Sequence, residues 1–464
     1  MKVEQIYTGC LSEATYFIKS GNEGAIVDPL RETGIYLDKI ASENVTLKYI
    51  FITHFHADFV SGHVDLADKT GAKIIFGPNA TAEFKFYLAK DEEIFTLGDV
   101  KIKTIHTPGH TLESTCYLLY NQNQEEHCLF TGDTLFIGDV GRPDLAVKSH
   151  LSQKDLAELL YSSIHEKIYP LRDETIIYPA HGAGSACGKN MSKETYDTLG
   201  NQKKVNYALN PELDKSDFVK EVTNGLSTPP SYFPVNVKMN QSINKSFEDI
   251  MKSGFNSLTV NDFKKLSQNA IVIDCRKPQD FAKAHIPGAI FIGIDGGFAP
   301  WAGSVIENID SNILLVVAPQ RAEEAVTRLS RVGIDNTLGF LKGGMEGWIK
   351  KGNKVESIQS ISANDFEKEL VSEDIIIDVR NNNEYEKSHL MGSIFLPLGE
   401  FSKNHKKYDS NKKLFIHCQG GYRSMIACSL LKRKGLHNIT DVQGGFAAIS
   451  KNTTLKIKSE LVNN

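Results

Sequence analysis

The sequence lacks several features that would place the protein in a specialised class. Its 464 residues contain only 7 cysteines and 2 tryptophans. No apolar run approaches the ~18 residues of a membrane span, and the amino terminus has no apolar segment typical of a secretory signal. A net charge of -5 gives no basic surface of the kind that binds nucleic acid. We therefore expect neither a nucleic acid nor a membrane as partner.

The few cysteines are scattered along a long chain, which does not indicate a disulfide framework. We therefore expect a cytoplasmic protein with reduced thiols. The apolar fraction of 41% and the charged fraction of 23% are typical of globular proteins. A prior of about 150 residues per domain favours three domains, and the motifs described below predict them over residues 1–250, 251–354 and 355–464.

Side chains that bind metals follow short apolar strands at four places in the first 185 residues. The motifs are Thr53-His-Phe-His-Ala-Asp, Thr107-Pro-Gly-His, Thr131-Gly-Asp and Pro179-Ala-His. Imidazole and carboxylate groups together bind first-row transition metals. The sequence therefore predicts one metal site, with candidate residues His54, His56, Asp58, His110, Asp133 and His181.

These four motifs resemble those of the metallo-β-lactamase superfamily, which implies an αββα sandwich with its metal site at one edge. Hydrolytic members such as glyoxalase II hold two zinc ions and have a histidine directly after the aspartate of the first motif. This chain has Phe59 there, and an aromatic ring cannot bind a second metal. His63, four residues further on, is an alternative ligand.

The branch with a single metal, the persulfide dioxygenases, resembles this chain more closely. The resemblance implies one Fe(II) per chain, bound by His54, His110 and Asp133. Two histidines and one carboxylate form the facial triad that leaves positions open for substrate sulfur and O₂.

Other residues are expected beside the metal. The resemblance implies that His56 and His181 lie near the metal as hydrogen-bonding groups; whether His56 binds the metal stays open. Asp58 is expected to orient a ligand or a water. Arg142, in a loop similar to the substrate loop of this group, is expected to pair with an anionic substrate; a surface arginine is the alternative. Cys187 is either an acceptor of sulfane sulfur or an unreactive cysteine of a loop within a helical cover over residues 186–250.

The sequence from residue 251 onwards contains an internal repeat. Asp274 and His285 of the first copy recur at the same spacing as Asp378 and His389 of the second. Short apolar strands alternate with helical stretches in both copies. This alternation predicts two α/β domains with parallel sheets.

Only the second copy has a candidate nucleophile. Its sequence predicts a strand, a six-residue loop from Cys418 to Arg423, and a helix. Gly420 and Gly421 allow backbone N–H groups to turn towards the thiol, and the helix amino terminus points to the same place. We therefore expect Cys418 to be a thiolate, with Arg423 as a cationic partner for an anionic substrate.

This Cys-x-x-Gly-x-Arg loop resembles that of the rhodanese sulfurtransferases, which form a cysteine persulfide. Cys418, Gly421 and Arg423 match that motif position by position. In the first copy we predict that Ala318 stands in the place of the thiol, in a shortened loop. That copy is therefore expected to be a spacer or docking domain.

Together the three parts resemble a bacterial persulfide dioxygenase–sulfurtransferase fusion, with an αββα sandwich followed by two α/β rhodanese-like domains. The resemblance implies that a small thiol persulfide, O₂ and sulfite are the substrates, that thiosulfate is the product, and that the role is sulfide detoxification. No motif identifies the carrier thiol, which could be coenzyme A, glutathione, bacillithiol or cysteine. We expect the protein to form a homo-oligomer. The alternatives are a glyoxalase-II-like zinc thioesterase fused to rhodanese and a sulfur-carrier or sensing protein.

Overall fold

The computed structural model describes residues 1–147, 151–401 and 412–459. The chain forms two compact units. One contains residues 1–247 together with 331–333, and the other contains the rest of the described residues from 248 onwards, including both copies of the repeat. The predicted limits at residues 250 and 354 stay predictions.

The first unit is built on two six-stranded sheets. The first sheet has the strand order β1-β2-β3-β4-β5-β6, antiparallel as far as β3 and parallel beyond it. Its strands are β1 (Lys2–Thr8), β2 (Glu13–Ser20), β3 (Glu23–Val27), β4 (Thr46–Ile52), β5 (Lys73–Phe76) and β6 (Tyr87–Leu88). The second sheet has the order β12-β11-β10-β9-β8-β7. Its strands are β7 (Ile94–Leu97), β8 (Val100–His106), β9 (Thr115–Tyr120), β10 (Glu126–Gly132), β11 (Ile176–Pro179) and β12 (Asp197–Thr198).

Apolar side chains from both sheets form a common core, in which the rings of Phe51 and Tyr117 lie 4.7 Å apart. On its other face the second sheet packs Leu118 and Leu129 against Leu160 and Phe218, which belong to helices. The helices of this unit are α1 (Gly34–Glu43), α2 (His63–Thr70), α3 (Gln153–Ser162), α4 (Leu199–Val205), α5 (Lys215–Thr223) and α6 (Phe233–Asn240). The predicted αββα sandwich is therefore confirmed.

The segment predicted as a helical cover, residues 186–250, contains α4, α5 and α6. It also contains β12, a short strand that the sequence did not predict and that pairs with β11. No helix in the described part of the chain is both long enough and apolar enough to cross a membrane.

In the second unit each copy of the repeat forms a five-stranded parallel sheet, as predicted, in the orders β13-β17-β16-β14-β15 and β18-β23-β22-β19-β21. The first copy contains β13 (Ser257–Leu258), β14 (Ile271–Asp274), β15 (Ile290–Phe291), β16 (Ile313–Val316) and β17 (Thr337–Leu341). Its helices, with one that precedes it, are α7 (Phe247–Gly254), α8 (Val260–Leu266), α9 (Pro278–Lys283), α10 (Phe298–Val305), α11 (Ala322–Arg331) and α12 (Gly344–Lys350).

The second copy follows the same plan and has an additional antiparallel pair, β20 with β24. Its strands are β18 (Gln359–Ile361), β19 (Ile375–Asp378), β20 (Ser388–Leu390), β21 (Ile394–Phe395), β22 (Leu414–His417), β23 (Ile439–Val442) and β24 (Ile457–Ser459). Its described helices are α13 (Ala363–Glu369), α14 (Asn382–Lys387), α15 (Tyr422–Arg433) and α16 (Gly445–Asn452).

Strand register corrects one detail of the comparison between the copies. Strand β16 pairs with β14 in the register in which β22 pairs with β19, so the last residues of β16 and β22 correspond. The residue after β22 is Cys418, and the residue after β16 is Val317. The prediction that Ala318 takes the place of the thiol was therefore wrong by one position, although the first copy still lacks a thiol there.

The loop of the second copy is also shorter than predicted. Helix α15 begins at Tyr422, so Arg423 lies in its first turn and not in a loop. Gly421 precedes the helix with φ +98°, a conformation that side chains with a Cβ rarely adopt. This glycine allows the chain to turn directly from the thiol into the helix.

Candidate metal centre and sulfur-transfer site

His54 follows β4 and is oriented by its neighbour Thr53. The Thr53 hydroxyl donates to Asp28 Oδ2 at 2.7 Å and lies 3.0 Å from His54 Nδ1. Because the single hydroxyl proton is used on the carboxylate, Nδ1 of His54 must be the donor in the second contact. The lone pair of His54 is therefore on Nε2, the atom that faces Asp133.

His110 is held in the same way by a backbone carbonyl. Its Nδ1 lies 2.9 Å from the Arg142 carbonyl oxygen, which can only accept, so Nε2 again carries the lone pair. The Arg142 side chain is buried and donates to the Asp144 carboxylate and to the carbonyl oxygens of Ala186 and Ser227. These contacts favour a structural role for Arg142, which orients His110, over the predicted contact with substrate.

Asp133 follows β10 and uses its two oxygens differently. Oδ1 accepts a hydrogen bond of 2.8 Å from His181 Nδ1. Oδ2 is buried with no hydrogen-bond partner among the described residues, and it lies 3.5 Å from His110 Nε2 and 3.8 Å from His54 Nε2. Two imidazole lone pairs and one unpaired carboxylate oxygen, all within 4.8 Å of one another, fit a single transition-metal ion.

The charges of this group suit metal binding. Burial lowers the pKa of His54 well below its ordinary value, so the ring is neutral and its lone pair is available. Burial alone would raise the pKa of Asp133, but the adjacent His181 holds the pKa of that carboxyl well below its usual range. The carboxylate is therefore ionised, as a ligand must be.

A second group of candidate ligands lies next to the first. His181 Nε2 is 2.8 Å from Asp58 Oδ2, and Cys187 Sγ completes a set whose ligand atoms all lie within 4.8 Å of one another. Burial lowers the pKa of His181, but the carboxylates of Asp133 and Asp58 on its two sides raise it well above its ordinary value. Burial raises the pKa of the Cys187 thiol, which makes it a poor nucleophile.

Phe59 and His56 form one side of the site. The Phe59 ring is fully buried and stacks on His56, with the ring centroids 4.3 Å apart. His56 Nε2 lies 3.1 Å from Asp28 Oδ1, so this imidazole contacts the carboxylate that also holds Thr53. That contact favours a supporting role for His56. Phe59 lies next to His56 and His181, with its ring centroid 6.5 Å from that of His181, and offers no donor atom.

His63 does not join either group of candidate ligands in the described part of the chain. It begins α2 and packs against Phe84, 4.9 Å away, and Phe76, 5.9 Å away. Burial lowers its pKa to about 3, so the ring stays neutral. The alternative in which His63 replaces the missing ligand is not supported by these contacts.

Asn240, at the end of α6, was missed by the sequence reasoning. Its side-chain amide donates to the carbonyl oxygens of His56 and Phe59 at 2.8 and 2.7 Å and accepts from Ser61 N at 2.7 Å. One buried side chain thus holds the backbone of the turn that carries the metal motif. No sequence signal could have identified it, because a lone asparagine in a helical segment has many ordinary roles.

In the second unit the Cys418 thiol is buried in the turn before α15. Gly421 N–H donates to Cys418 Sγ at 3.1 Å, and Ser424 Oγ lies 3.7 Å from the same sulfur. A Cβ added at Gly420 would meet nothing within 4 Å. The turn therefore provides one backbone donor to the sulfur, and the space next to Gly420 is open.

Arg423 makes contacts other than those expected. Both of its Nη atoms donate to the Glu384 carboxylate, at 2.6 and 2.8 Å. This bidentate pair uses the charge that was predicted to face an anionic substrate. Glu384 therefore occupies two of the five N–H donors of Arg423.

Two protein-family models match this chain, one over the first unit and one over each copy of the repeat. Residues 8–181 match the model of the metallo-beta-lactamase superfamily. Residues 259–351 and 362–452 each match the rhodanese-like domain. The two matches to the rhodanese-like domain correspond to the two copies of the repeat.

Two curated relatives carry different activities in their names. A probable hydroxyacylglutathione hydrolase of Schizosaccharomyces pombe is 32% identical over 198 residues, which cover 42% of this chain and 72% of the relative. The mitochondrial persulfide dioxygenase ETHE1 of Bos taurus is 30% identical over 230 residues, which cover 47% of this chain and 86% of the relative. At these identities the two activities are not distinguished.

A solved structure described as a metallo-beta-lactamase from Staphylococcus aureus subsp. aureus COL is similar over most of its length. It superposes with a TM-score of 0.66 at 29% identity, covering 74% of this chain and 99% of that chain. The chain belongs to the metallo-β-lactamase superfamily. It is a fusion of a metallo-β-lactamase domain with two rhodanese-like domains. The two curated relatives described above are both named as enzymes.

Replacing Asn240 by alanine should destabilise the metal-binding turn. Three buried backbone groups would lose their partner, at about 1–3 kcal/mol for each group left unpaired, so we expect a clear loss in the free energy of unfolding and a lower metal content. Denaturant unfolding and metal analysis measure the two effects. Asn244 is the control, because its side chain donates to the Met239 and Ser242 carbonyl oxygens nearby and, among the described residues, forms no hydrogen bond with His56 or Phe59. Equal effects of Asn240→Ala and Asn244→Ala would contradict this role.

His63→Leu should leave the metal content unchanged, since neither ring nitrogen of His63 has a hydrogen-bond partner among the described residues. His110→Ala removes a candidate ligand and should abolish most of the bound metal. Metal analysis of the two purified variants checks both outcomes. A loss of metal in His63→Leu as large as in His110→Ala would show that His63 is a ligand.

Proposed function

We propose that the chain is an Fe(II) persulfide dioxygenase coupled to a thiosulfate-forming sulfurtransferase. The observation that carries this proposal is the arrangement of His54, His110 and Asp133, with one donor atom from each residue. The Phe59 ring, which stacks on His56 next to this group, offers no donor atom. This set has the composition of the facial triad that binds Fe(II) and leaves positions open. The relative named as a persulfide dioxygenase supports the same activity.

The first reaction converts a thiol persulfide to a thiol and sulfite: RSSH + O₂ + H₂O → RSH + SO₃²⁻ + 2 H⁺. When bound, one Fe(II) per chain would supply the redox chemistry by which O₂ oxidises the terminal sulfur. Thr53 and the Arg142 carbonyl keep the Nε2 atoms of His54 and His110 directed at Asp133 Oδ2, and these three atoms would hold the ion. His181 donates to Asp133 and keeps that carboxylate in position, as residues hydrogen-bonded to metal ligands commonly do.

The second reaction takes place at Cys418. The thiolate attacks the sulfane sulfur of another persulfide, the S–S bond breaks, and the carrier leaves as a thiol with the persulfide's proton. Sulfite then attacks the outer sulfur of the Cys418 persulfide, which forms thiosulfate and releases the Cys418 thiolate. The Gly421 N–H, 3.1 Å from Sγ, stabilises the negative sulfur at the start and end of this cycle.

A second candidate function is a zinc thioesterase, and one observation favours it. Asp58, His181 and Cys187 offer a further set of ligand atoms that could hold a second metal in spite of Phe59. A dinuclear site of this kind would suit hydrolysis of a hydroxyacylglutathione thioester, the activity named for the other relative. In that case sulfur transfer at Cys418 would be a separate activity.

Metal analysis after anaerobic purification distinguishes the two candidates. We expect about one iron per chain, O₂ uptake that depends on added persulfide, and an iron content unchanged by Cys187→Ala. Two zinc ions per chain, one of them lost in Cys187→Ala, together with thioester hydrolysis, would favour the thioesterase instead.

Cys418→Ser should change the product from thiosulfate to sulfite, because serine cannot carry sulfane sulfur, while O₂ uptake continues in the intact first unit. Sulfite and thiosulfate are quantified after reaction of a small thiol persulfide with O₂. Cys428→Ala is the matched control, since Cys428 is buried within α15 and should not affect the product. An unchanged yield of thiosulfate from Cys418→Ser would exclude the coupling.

A further inference from the structure

Tyr422, next to Gly421 in the thiol turn of the second copy, packs against the first copy. Its hydroxyl donates to the Gly293 carbonyl oxygen at 2.6 Å, and its ring lies edge-on to Phe291 with centroids 5.7 Å apart. A Cβ added at Gly296 would lie 2.4 Å from a ring carbon of Tyr422. The ring can adopt this position because residue 296 has no side chain.

The segment that receives Tyr422, residues 293–297, is held firmly within the first copy. Arg328 of α11 donates to the carbonyl oxygens of Ile294, at 2.5 Å, and Gly296, at 2.9 Å. Arg321 pairs with Asp295. Arg321 belongs to the short segment between β16 and α11, which is the place where the second copy carries its thiol turn. The segment without a thiol therefore supports the segment that contacts Tyr422.

The rest of α15 also contacts the first copy. The Ser429 hydroxyl accepts from Phe291 N at 3.1 Å, and Arg433 donates to the Gly288 carbonyl oxygen at 2.6 Å. Phe291 belongs to β15, an edge strand of the five-stranded sheet of the first copy. Contacts at residues 422, 429 and 433 fix the whole length of the helix that follows the thiol.

We propose that the first rhodanese-like domain acts as a support for the sulfur-transfer site of the second, and that Tyr422 is the positioning residue that connects them. Fixing the Tyr422 ring fixes the adjacent Gly421 N–H relative to the Cys418 sulfur. This inference rests on the proposed sulfurtransferase activity, and it gives the domain without a thiol a defined role in that activity. Misplacement of a reacting group by about 1 Å can cost roughly 100-fold in rate.

The test alters Gly296 of the first copy and measures sulfur transfer at Cys418 of the second, with a variant of Gly399 in the second copy as the control. In the full-length protein, Gly296→Ala forces the Tyr422 ring to move, whereas Gly399→Ala adds a Cβ that meets nothing within 4 Å and is the control. Sulfur transfer from glutathione persulfide to cyanide, followed as thiocyanate, gives kcat and KM. We expect Gly296→Ala to lower kcat by about 10-fold or more with KM nearly unchanged, and Gly399→Ala to leave both unchanged.

The double variant Gly296→Ala/Tyr422→Ala tests whether the effect passes through the ring. If it does, Gly296→Ala has little further effect once Tyr422 is alanine, because the two changes act on one contact. Independent losses that multiply, or an unchanged kcat in Gly296→Ala, would overturn the proposal. Tyr422→Phe keeps the ring and loses only the hydrogen bond to Gly293, so it should retain more activity than Tyr422→Ala.

A second measurement separates this proposal from the proposed function. The rate of Cys418 alkylation by iodoacetamide, read from the mass of its peptide, reports the environment of the sulfur without any turnover. We expect a changed rate in Gly296→Ala and the wild-type rate in Gly399→Ala. If no variant transfers sulfur but the alkylation rates differ in this way, the proposed function fails and the positioning role stands. Equal alkylation rates in all the proteins would overturn the positioning role.

Discussion

The buried carboxylate of Asp133 is the group on which the metal centre depends. One of its oxygens accepts from His181, and the other has no hydrogen-bond partner among the described residues while facing His54 and His110. An unpaired ionised oxygen in a protein interior is costly unless a cation offsets it. The arrangement is therefore suited to a metal ion, and Asp133 links the candidate ligands of the first group to His181 of the second.

The contacts among these side chains bear on whether the site holds one metal ion or two. A second ion between Asp58, His181 and Cys187 would have to displace the contact of 2.8 Å between His181 Nε2 and Asp58 Oδ2. No such displacement is needed at the first site, where both Nε2 atoms and one carboxylate oxygen face one another. Phe59, whose ring lies next to that of His181, offers no further donor atom to the second group. These features favour a single metal.

The sequence predicted the functional side chains that lie shortly after a strand. His54 and Asp133 come within two residues of a strand end, and His110 follows β8 after a Pro-Gly turn. Their motifs predicted a cluster, and the fold brings the three residues together. The partners of these residues could not be predicted. Asn240 contacts the turn of residues 54–59 from a helix far along the chain. Arg142 orients His110 through its backbone carbonyl oxygen, a group that every residue has and that gives no sequence signal. The paired state of Arg423 depends on Glu384 of α14, whose position only the fold defines.

The two rhodanese-like copies are physically interdependent, which the repeat alone did not reveal. Strand β15 lies at the edge of the five-stranded sheet of the first copy, and an edge strand presents unpaired N–H groups that need partners. The N–H of Phe291 is satisfied by Ser429 of the second copy. In return, the first copy supplies the carbonyl oxygen of Gly293 and the space above Gly296 that Tyr422 requires. A domain without a nucleophile thus completes a hydrogen-bonded surface on which the thiol turn of its neighbour depends, so loss of the thiol from one copy does not make that copy dispensable.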